Sequence, residues 1–318
     1  MAVIRGVRGV ARKPLILPKI ETEQAAELQA LTEIIRLDET AALIVARGDL
    51  GTECNRWMVP TLQRRVLRIA HSWLKPVIIA TEVYGSMGRV PYPVQPNRGE
   101  ILDLRHALEA AADGLMFTAE TVVREDPETP VIYASRQANY DEHDIEDQDL
   151  YKAERDKRRE RIEQWYKELL QRPERSLSYE DSFPLRKESD HSTMDWATSA
   201  VWRANNRRAA GIFSYTQNGN TARDLAHMLP YRPIFAITHS RQVLAKLALY
   251  RNVYPILVEG VHESFDIEDL KELVQEIMER FDIGHIGDEA FAMLAHPVGH
   301  EEKTDTLIQI RRCYRALM

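Results

Sequence analysis

The sequence has little of several features that mark particular classes of protein. It contains two cysteines, Cys54 and Cys313, among 318 residues. A disulfide framework is therefore not expected, and the reducing cytoplasm is the predicted compartment. No apolar run approaches the roughly 20 residues that span a bilayer. The net charge of −7 gives no broad attraction to nucleic acid or to an anionic membrane. We therefore expect neither a nucleic-acid nor a membrane partner.

Zinc-binding signatures are also missing. The chain has no C-x-x-C and no H-E-x-x-H motif, so a zinc site is not expected. The overall composition is that of an ordinary globular protein, with 44% hydrophobic and 29% charged residues. The length is sufficient for two domains that each bury a core.

The first 20 residues are basic and contain no acid. Their charged side chains are Arg5, Arg8, Arg12, Lys13 and Lys19. One interpretation is an organelle-targeting segment, which would make the mitochondrial matrix an alternative location. The other is an ordinary basic segment leading into the first strand. The absence of serine favours the second interpretation.

Residues 1–140 alternate short apolar runs with helical patterns. The predicted strands are 15–17, 41–46, 76–80 and 114–118, and the predicted helices are 22–36, 60–73 and 99–112. Four βα units in series predict a parallel sheet or a segment of a barrel.

The alternation returns in residues 191–318, which we predict to be a second α/β domain. The predicted helices are 192–208, 220–229, 240–250 and 266–281, and the predicted strands are 211–215, 234–237, 253–257, 289–295 and 306–311.

Between the two domains, residues 141–190 form a charged segment. Its part 141–163 fits either an exposed helix with i,i+4 ion pairs or a flexible linker.

Polar residues follow three of the predicted strands in the first domain. If residues 15–21 form one strand, Lys19 and Glu21 project to the same side. A surface ion pair would explain them equally well. Asp49, flanked by Gly48 and Gly51, could bind Mg²⁺ through hard oxygen atoms or could cap the next helix.

Thr81 directly follows the apolar run Val77–Ala80. A hydroxyl at the end of a strand can take part in proton transfer, although threonine is common at such positions. The carboxyl ends of barrel strands are where barrel enzymes place their active sites. Three polar motifs at consecutive strand ends therefore indicate a site more specifically than any one of them alone.

These motifs carry a resemblance to a known family. The segments concerned are LPKIET, AALIVARGDLG, KPVIIATEVYGSM, PNRGE and AADGLMFTAET in the first domain, and residues 213–260 in the second. They resemble pyruvate kinase from the middle of its barrel to the end of its C-terminal domain. The implied fold is α/β: the last four βα units of a (β/α) TIM-type barrel, followed by a three-layer α/β domain.

The resemblance implies a role for each strand-end residue. Lys19 would neutralise the phosphoryl group in transit between phosphoenolpyruvate and ADP. Glu21 and Asp49 would hold Mg²⁺ or Mn²⁺, and backbone N–H groups near Gly48 and Asp49 would bind the substrate carboxylate. Thr81 would lie against the enolate and assist its protonation. These roles fit the general physics of phosphoryl transfer, which depends on positioning and charge neutralisation.

In the second domain, the loop after the first predicted strand is a candidate effector site. Its polar residues could bind a phosphate group at a helix N-terminus, and the family receives a sugar-phosphate effector on a loop of this kind. The candidate residues are Thr216, Asn218, Gly219 and Thr221. Helix capping by Asn220 or Thr221 explains the same residue types and is the favoured interpretation.

The resemblance also implies what this sequence does not include. The first four barrel strands and an inserted lid domain would supply the K⁺ ligands, an arginine for the transferred phosphate and much of the nucleotide pocket. The half barrel would have open edges that invite pairing with another chain. We therefore expect a protein partner or self-association.

Three hypotheses for the function follow. The first is a pyruvate kinase whose missing half comes from a second polypeptide, or of whose longer chain this sequence is a fragment. The second is a non-catalytic structural or regulatory subunit derived from a pyruvate kinase. The third is a divergent lyase acting on enolpyruvate. The matching C-terminal domain argues against the third.

Overall fold

The computed structural model describes residues 14–37, 40–89, 91, 95–143, 189–258, 266–285, 287–294 and 306–312. The chain divides into two compact units, Met1–Pro184 and Leu185–Met318. Of the predicted charged segment 141–190, all but the five end residues lie outside the described residues. The predicted helix or linker at 141–163 therefore stays a prediction.

The first unit contains a parallel sheet with helices between its strands. Its elements are β1 (Lys19–Ile20), α1 (Leu28–Ile35), β2 (Leu43–Ala46), α2 (Arg47–Glu53), α3 (Val59–Ser72), β3 (Val77–Ala80), α4 (Arg98–Glu109), β4 (Gly114–Met116), α5 (Ala119–Val122) and α6 (Glu128–His143). Short 3₁₀ helices span Gln24–Ala26, Arg56–Met58 and Gly85–Gly88. The strand order is β1-β2-β3-β4, and every neighbouring pair is parallel.

One face of this sheet is covered by α1 and α3. Alternate strand residues such as Val45 and Ile79 are fully buried there, against Leu31 of α1 and Val66 of α3. Each such aliphatic side chain contributes about 1.5–3 kcal/mol when it is fully buried. Ile78 points to the opposite face and is only half-buried. The sheet is thus a partial barrel whose outer layer of helices is in place.

The structure corrects several predictions in this unit. The first strand is not at 15–17, where only Ile16 forms a single bridge to Thr40, but at Lys19–Ile20. The predicted helix 22–36 is broken because Glu27 has an extended backbone, with ψ of 149°. The N-cap of α2 is Ala46 and Asp49 lies in the first turn, so Asp49 does not cap this helix. The helix α6 was not predicted.

The second unit is a three-layer α/β domain. Its elements are α7 (Ser189–Asn206), β5 (Ile212–Tyr215), α8 (Asn220–His227), β6 (Ile234–Thr238), α9 (Arg241–Leu247), β7 (Val253–Leu257), α10 (Ile267–Arg280), β8 (Glu289–Leu294) and β9 (Thr306–Arg311). The strand order is β7-β6-β5-β8-β9, and only β9 is antiparallel to its neighbour.

Alternation along the strands explains the three layers. Ile212 and Ala236 face a cluster contributed by α7, α8 and α9. Phe213 and Ile237, one residue further along each strand, face α10 on the other side. Successive strand residues point to opposite faces, so a strand that is apolar at every position requires cover on both sides. In the part of the chain that the structure describes, no helix is long and apolar enough to cross a membrane.

Candidate active site at the strand ends of the first unit

The register of the sheet brings the three predicted motifs to one edge. Ile20 lies opposite Val45, so Glu21 follows at the level of Ala46. Ala46 in turn lies opposite Ala80. Because the strands are parallel, the residues that follow them emerge side by side at their carboxyl ends. The motifs are neighbours in space although about 30 residues separate consecutive ones in sequence.

Lys19, Glu21 and Asp49 form one charged cluster at this edge. Lys19 Nζ lies 2.6 Å from Glu21 Oε1 and 3.1 Å from Asp49 Oδ2. The hydrogen bonds to Glu21 and then to Asp49 raise the pKa of Lys19 above its usual value. The three side chains are 41%, 44% and 52% exposed, and ion pairs this exposed add little to stability. A contribution to the stability of the fold therefore does not explain why these three charged residues are placed together.

The two carboxylates of this cluster are the candidate ligands for a divalent metal ion, although the Lys19 ammonium lies between them here. Both contact the same ammonium group, so their oxygens face one small volume. Mg²⁺ is commonly bound in proteins by one or two carboxylates together with water and substrate phosphates. Among the described residues, no group of three or more histidine, cysteine or acidic side chains is arranged to hold a metal. An ion held by Glu21 and Asp49 alone would have to keep water or substrate oxygens in its shell.

Thr81 has an unusual backbone at the end of β3. Its φ is +64°, and the next residue, Glu82, has φ of +53°. A β-branched residue in the left-handed region is a conformational outlier, and such strain costs about 1–3 kcal/mol. Strained residues of this kind concentrate at functional sites. Thr81 and Glu82 are consecutive residues with this backbone at the end of one strand, which makes Thr81 a candidate for a site.

The Thr81 hydroxyl is held between two backbone groups. It accepts a hydrogen bond from Gly48 N–H at 2.7 Å and donates one to the Ala80 carbonyl, also at 2.7 Å. A Cβ placed on Gly48 would lie 3.3 Å from Thr81 Oγ1. Gly48 thus permits a close approach of the Thr81 side chain. Its amide is already paired.

Arg47 is the residue at this edge that the sequence interpretation missed. It is buried, and its Nε and Nη2 donate to the Thr81 carbonyl at 3.1 and 2.8 Å. Its Nη1 pairs with Asp103 on α4. The only signal in the sequence was a cation between a buried strand and a glycine, and nothing there indicated which carbonyl it would meet.

The loop that follows Thr81 is held by α4 and α6. Tyr84 also has a left-handed backbone, with φ of +53°, and its hydroxyl bonds to Gln137 of α6. Burial raises the pKa of Tyr84 well above its usual value. Ser86 donates through its amide and its hydroxyl to Glu100 of α4. The helix α6, which was not predicted, therefore shapes the loop next to the candidate site.

The predicted effector loop of the second unit is bonded mainly to itself. The Thr216 hydroxyl accepts from Gly219 N–H at 2.9 Å, and the Asn218 side chain accepts from Asn220 N–H at 3.1 Å. The N-cap of α8 is Gly219, with φ of +90°, and not Asn220 or Thr221 as the capping interpretation had it. Thr221 is buried in the first turn. The turn is therefore closed by Thr216 and Asn218 from outside the helix.

Two segments of the chain match models of known protein families. Residues 2–131 match the family described as pyruvate kinase, barrel domain, and residues 195–308 match pyruvate kinase, alpha/beta domain. The two matches fall on the first and the second unit in the order in which the domains are predicted. The chain belongs to the pyruvate kinase family.

Individual relatives agree with this assignment. A pyruvate kinase of Sporosarcina psychrophila is 29% identical over 297 residues, which cover 93% of this chain and 43% of the relative. The chloroplastic pyruvate kinase isozyme A of Nicotiana tabacum is 30% identical over 240 residues, covering 76% of this chain and 35% of the relative. The chain thus spans about half the length, or less, of the curated relatives it matches.

A solved structure shows the same fold. The pyruvate kinase of Cryptosporidium parvum in complex with ADP superposes with a TM-score of 0.71 at 22% identity, covering 96% of this chain and 53% of that one. At this identity the likeness shows the fold alone.

Proposed function

We propose that this chain supplies half of a pyruvate-kinase-type phosphotransferase site, which transfers a phosphoryl group from phosphoenolpyruvate to ADP to form pyruvate and ATP. The observation that carries the proposal is the Lys19 ammonium between Glu21 and Asp49, with the strained Thr81 on the adjacent strand. The family resemblance adds the substrate class, since this combination of groups suits charge neutralisation during phosphoryl transfer.

Each residue has a distinct task in this proposal. In the transfer, the bond from phosphorus to the enol oxygen breaks and a bond to the terminal oxygen of ADP forms. The Lys19 ammonium neutralises charge on the phosphoryl group. The Asp49 N–H would bind the substrate carboxylate. The Gly48 N–H would add to this only if it released the Thr81 hydroxyl, to which it now donates. The Thr81 hydroxyl turns from the Ala80 carbonyl towards the enolate and assists delivery of a proton to its carbon.

Mg²⁺ or Mn²⁺ would be held by Glu21 and Asp49 in the same proposal. The ion would stabilise the negative charge shared by the phosphoryl group and the enolate oxygen. K⁺ belongs to the family's requirements, and the resemblance implies that its ligands lie in barrel strands that this sequence does not include. The chain's own contribution is to keep the two carboxylates and the ammonium together at one strand edge.

Turnover is proposed to require the other half of the barrel. Within the described residues, β1 and β4 each pair with one neighbour only, so the sheet has two open edges. Ile78, on the face away from the helices, is half-buried. Open edges and an incompletely covered apolar face favour association with another polypeptide. The proposed cover is the remaining barrel strands or a second copy of this chain.

The test is an assay of pyruvate formation from phosphoenolpyruvate and ADP with Mg²⁺ and K⁺. It is run on the chain alone and on the chain co-expressed with the amino-terminal half of the Sporosarcina psychrophila relative. We expect turnover in the second case, and a loss of at least about 10²-fold in Lys19→Met, because the cation acts on the transferred group. Lys271→Met is the matched control, since Lys271 is also 41% exposed and ion-paired.

Absence of turnover in both preparations, from folded samples, would reject the enzymatic proposal and favour the second candidate. That candidate is a non-catalytic structural or regulatory subunit, which the open edges of the sheet also support. Equal turnover in Lys19→Met and Lys271→Met would likewise reject the assigned role of Lys19.

The remaining proposals concern regulation and location. The loop with Thr216, Asn218, Gly219 and Thr221 is proposed as an effector phosphate site. It would have to open its internal hydrogen bonds to bind an anion. The cytoplasm is the proposed compartment, with an organelle matrix as the alternative.

A further inference from the structure

Arg47 is a buried cation whose contacts concentrate on one peptide group. Only 5% of its side chain is exposed. Two of its nitrogens donate to the same oxygen, the Thr81 carbonyl, and a third pairs with Asp103. A buried charge requires partners to offset its desolvation. Two of the three guanidinium nitrogens thus bind the residue with the strained backbone.

Arg47 and Gly48 hold Thr81 at both of its ends. The Arg47 guanidinium binds the carbonyl of Thr81, and the next amide, Gly48 N–H, binds its hydroxyl at 2.7 Å. The register that places Ala46 opposite Ala80 brings these consecutive residues level with Thr81. A left-handed threonine persists only when its surroundings determine its conformation, and these contacts do so.

We propose that Arg47 is a positioning residue. Anchored on Asp103, its guanidinium holds the Thr81 peptide in the left-handed conformation and thereby sets the direction of the Thr81 hydroxyl at the strand edge. The value of this for catalysis rests on the proposed function. The placement of Thr81 itself does not, and it is measurable in the absence of turnover.

The competing explanation is that Arg47 only stabilises the fold. Arg124 allows the two to be separated. It is also 5% exposed, pairs with a carboxylate, Asp126, and donates to a backbone carbonyl, that of Met87. It lies in the same unit but does not touch Thr81 in any described contact. Replacing Arg124 therefore removes a similar buried cation without removing the proposed positioning contact.

The experiment follows the Gly48 amide by NMR in the full chain. This N–H donates to the Thr81 hydroxyl, so its hydrogen exchange and chemical shift report where the hydroxyl lies. We expect Arg47→Met to speed exchange at Gly48 by about tenfold or more, because the local structure that protects it is lost. Arg47→Lys should restore part of the protection, and Arg124→Met should leave Gly48 as in the wild type.

Two results would overturn the inference. One is a Gly48 amide in Arg47→Met with wild-type exchange and shift. The other is equal acceleration at Gly48 in Arg124→Met. If Arg47→Met does not fold, Asp103→Asn provides the second variant, because it removes the anchor while leaving the guanidinium. An unchanged Gly48 amide in a folded Asp103→Asn sample would then reject the proposal.

A kinetic measurement separates this inference from the proposed function. In any preparation that shows turnover, Arg47→Met should lower kcat by up to about 10²-fold with little change in KM, since misplacing one catalytic group affects the reaction more than binding. If no preparation turns over while the Gly48 amide responds as expected, the proposed function fails and the positioning role stands. If turnover is normal and Gly48 does not respond, the positioning role fails.

Discussion

Both units place polar residues at the carboxyl ends of parallel strands, but the hydrogen-bond partners of these residues differ between the units. In the first unit, the contacts run between strand ends, from Lys19 to Asp49 and from Gly48 to Thr81. In the second, they run within one loop, from Gly219 to Thr216 and from Asn220 to Asn218. The first arrangement leaves charged side chains together and exposed, whereas the second closes a turn. Proximity of polar residues to a strand end is therefore not enough to indicate a catalytic site.

The largest expected effect on stability comes from the turn of the second unit. Gly219 has φ of +90°, and a Cβ there would lie 3.3 Å from Val243 Cγ1. Gly219→Ala should lower the free energy of unfolding by about 1–3 kcal/mol, because alanine disfavours this backbone. Gly48→Ala should change it by less than about 1 kcal/mol, since improved helix propensity offsets the contact with Thr81. Hydrogen-exchange mass spectrometry of the full chain, followed on peptides from each unit, measures the two changes in the free energy of unfolding. A larger loss for Gly48→Ala than for Gly219→Ala would contradict the expected order.

A smaller effect is expected at the charged cluster. Lys19→Met should change the free energy of unfolding by no more than about 1 kcal/mol, because exposed ion pairs contribute little. Urea unfolding of the full chain measures this, with Lys271→Met as the variant that removes the ion pair of an equally exposed lysine from the second unit. The same Lys19 variant is expected to lose most turnover in the assay above. A large loss of stability would mean that the cluster supports the fold, which would weaken its interpretation as a site.

The smallest expected effect is on the pH dependence of unfolding, to which a charged contact contributes and a neutral one does not. The hydrogen bond from Arg124 lowers the pKa of Asp126 from 3.8 to about 2. Because the folded-state pKa is the lower one, Asp126 adds stability above about pH 4, and this contribution is lost as pH falls towards about 2. Asp126→Asn should reduce the pH dependence of unfolding of the first unit in this window. Asp126 lies in the first unit, so Asp126→Asn should leave the pH dependence of the second unit unchanged.

The order of the elements was largely predictable because both sheets have buried strands with unmistakable apolar runs. Val77–Ala80 and Val253–Leu257 were located to within a residue. Boundaries failed where local geometry overrode the pattern. The apolar spacing of residues 22–36 continues through Glu27, but its extended backbone divides the helix. The helix α6 was missed because its apolar residues do not follow a clear helical period.

The candidate site was predictable only in part, because some of its contacts join residues that are far apart in the sequence. Lys19, Glu21, Asp49 and Thr81 could be selected because each stands at the end of an apolar run. Arg47 could not be assigned a role, since its partners Thr81 and Asp103 are 34 and 56 residues away. The left-handed backbone of Thr81 also has no signature in the sequence, because threonine ordinarily avoids it.

The sequence by itself determined the family, the alternation of strands and helices, and the residue types at the strand ends, because hydrophobic period and short motifs are local properties. Only the tertiary structure decided which of those residues meet. The parallel register sets Glu21 and Asp49 around one ammonium and sets Arg47 against the Thr81 carbonyl. Such pairings follow from hydrogen bonds between strands that are distant along the chain, and no local pattern contains them.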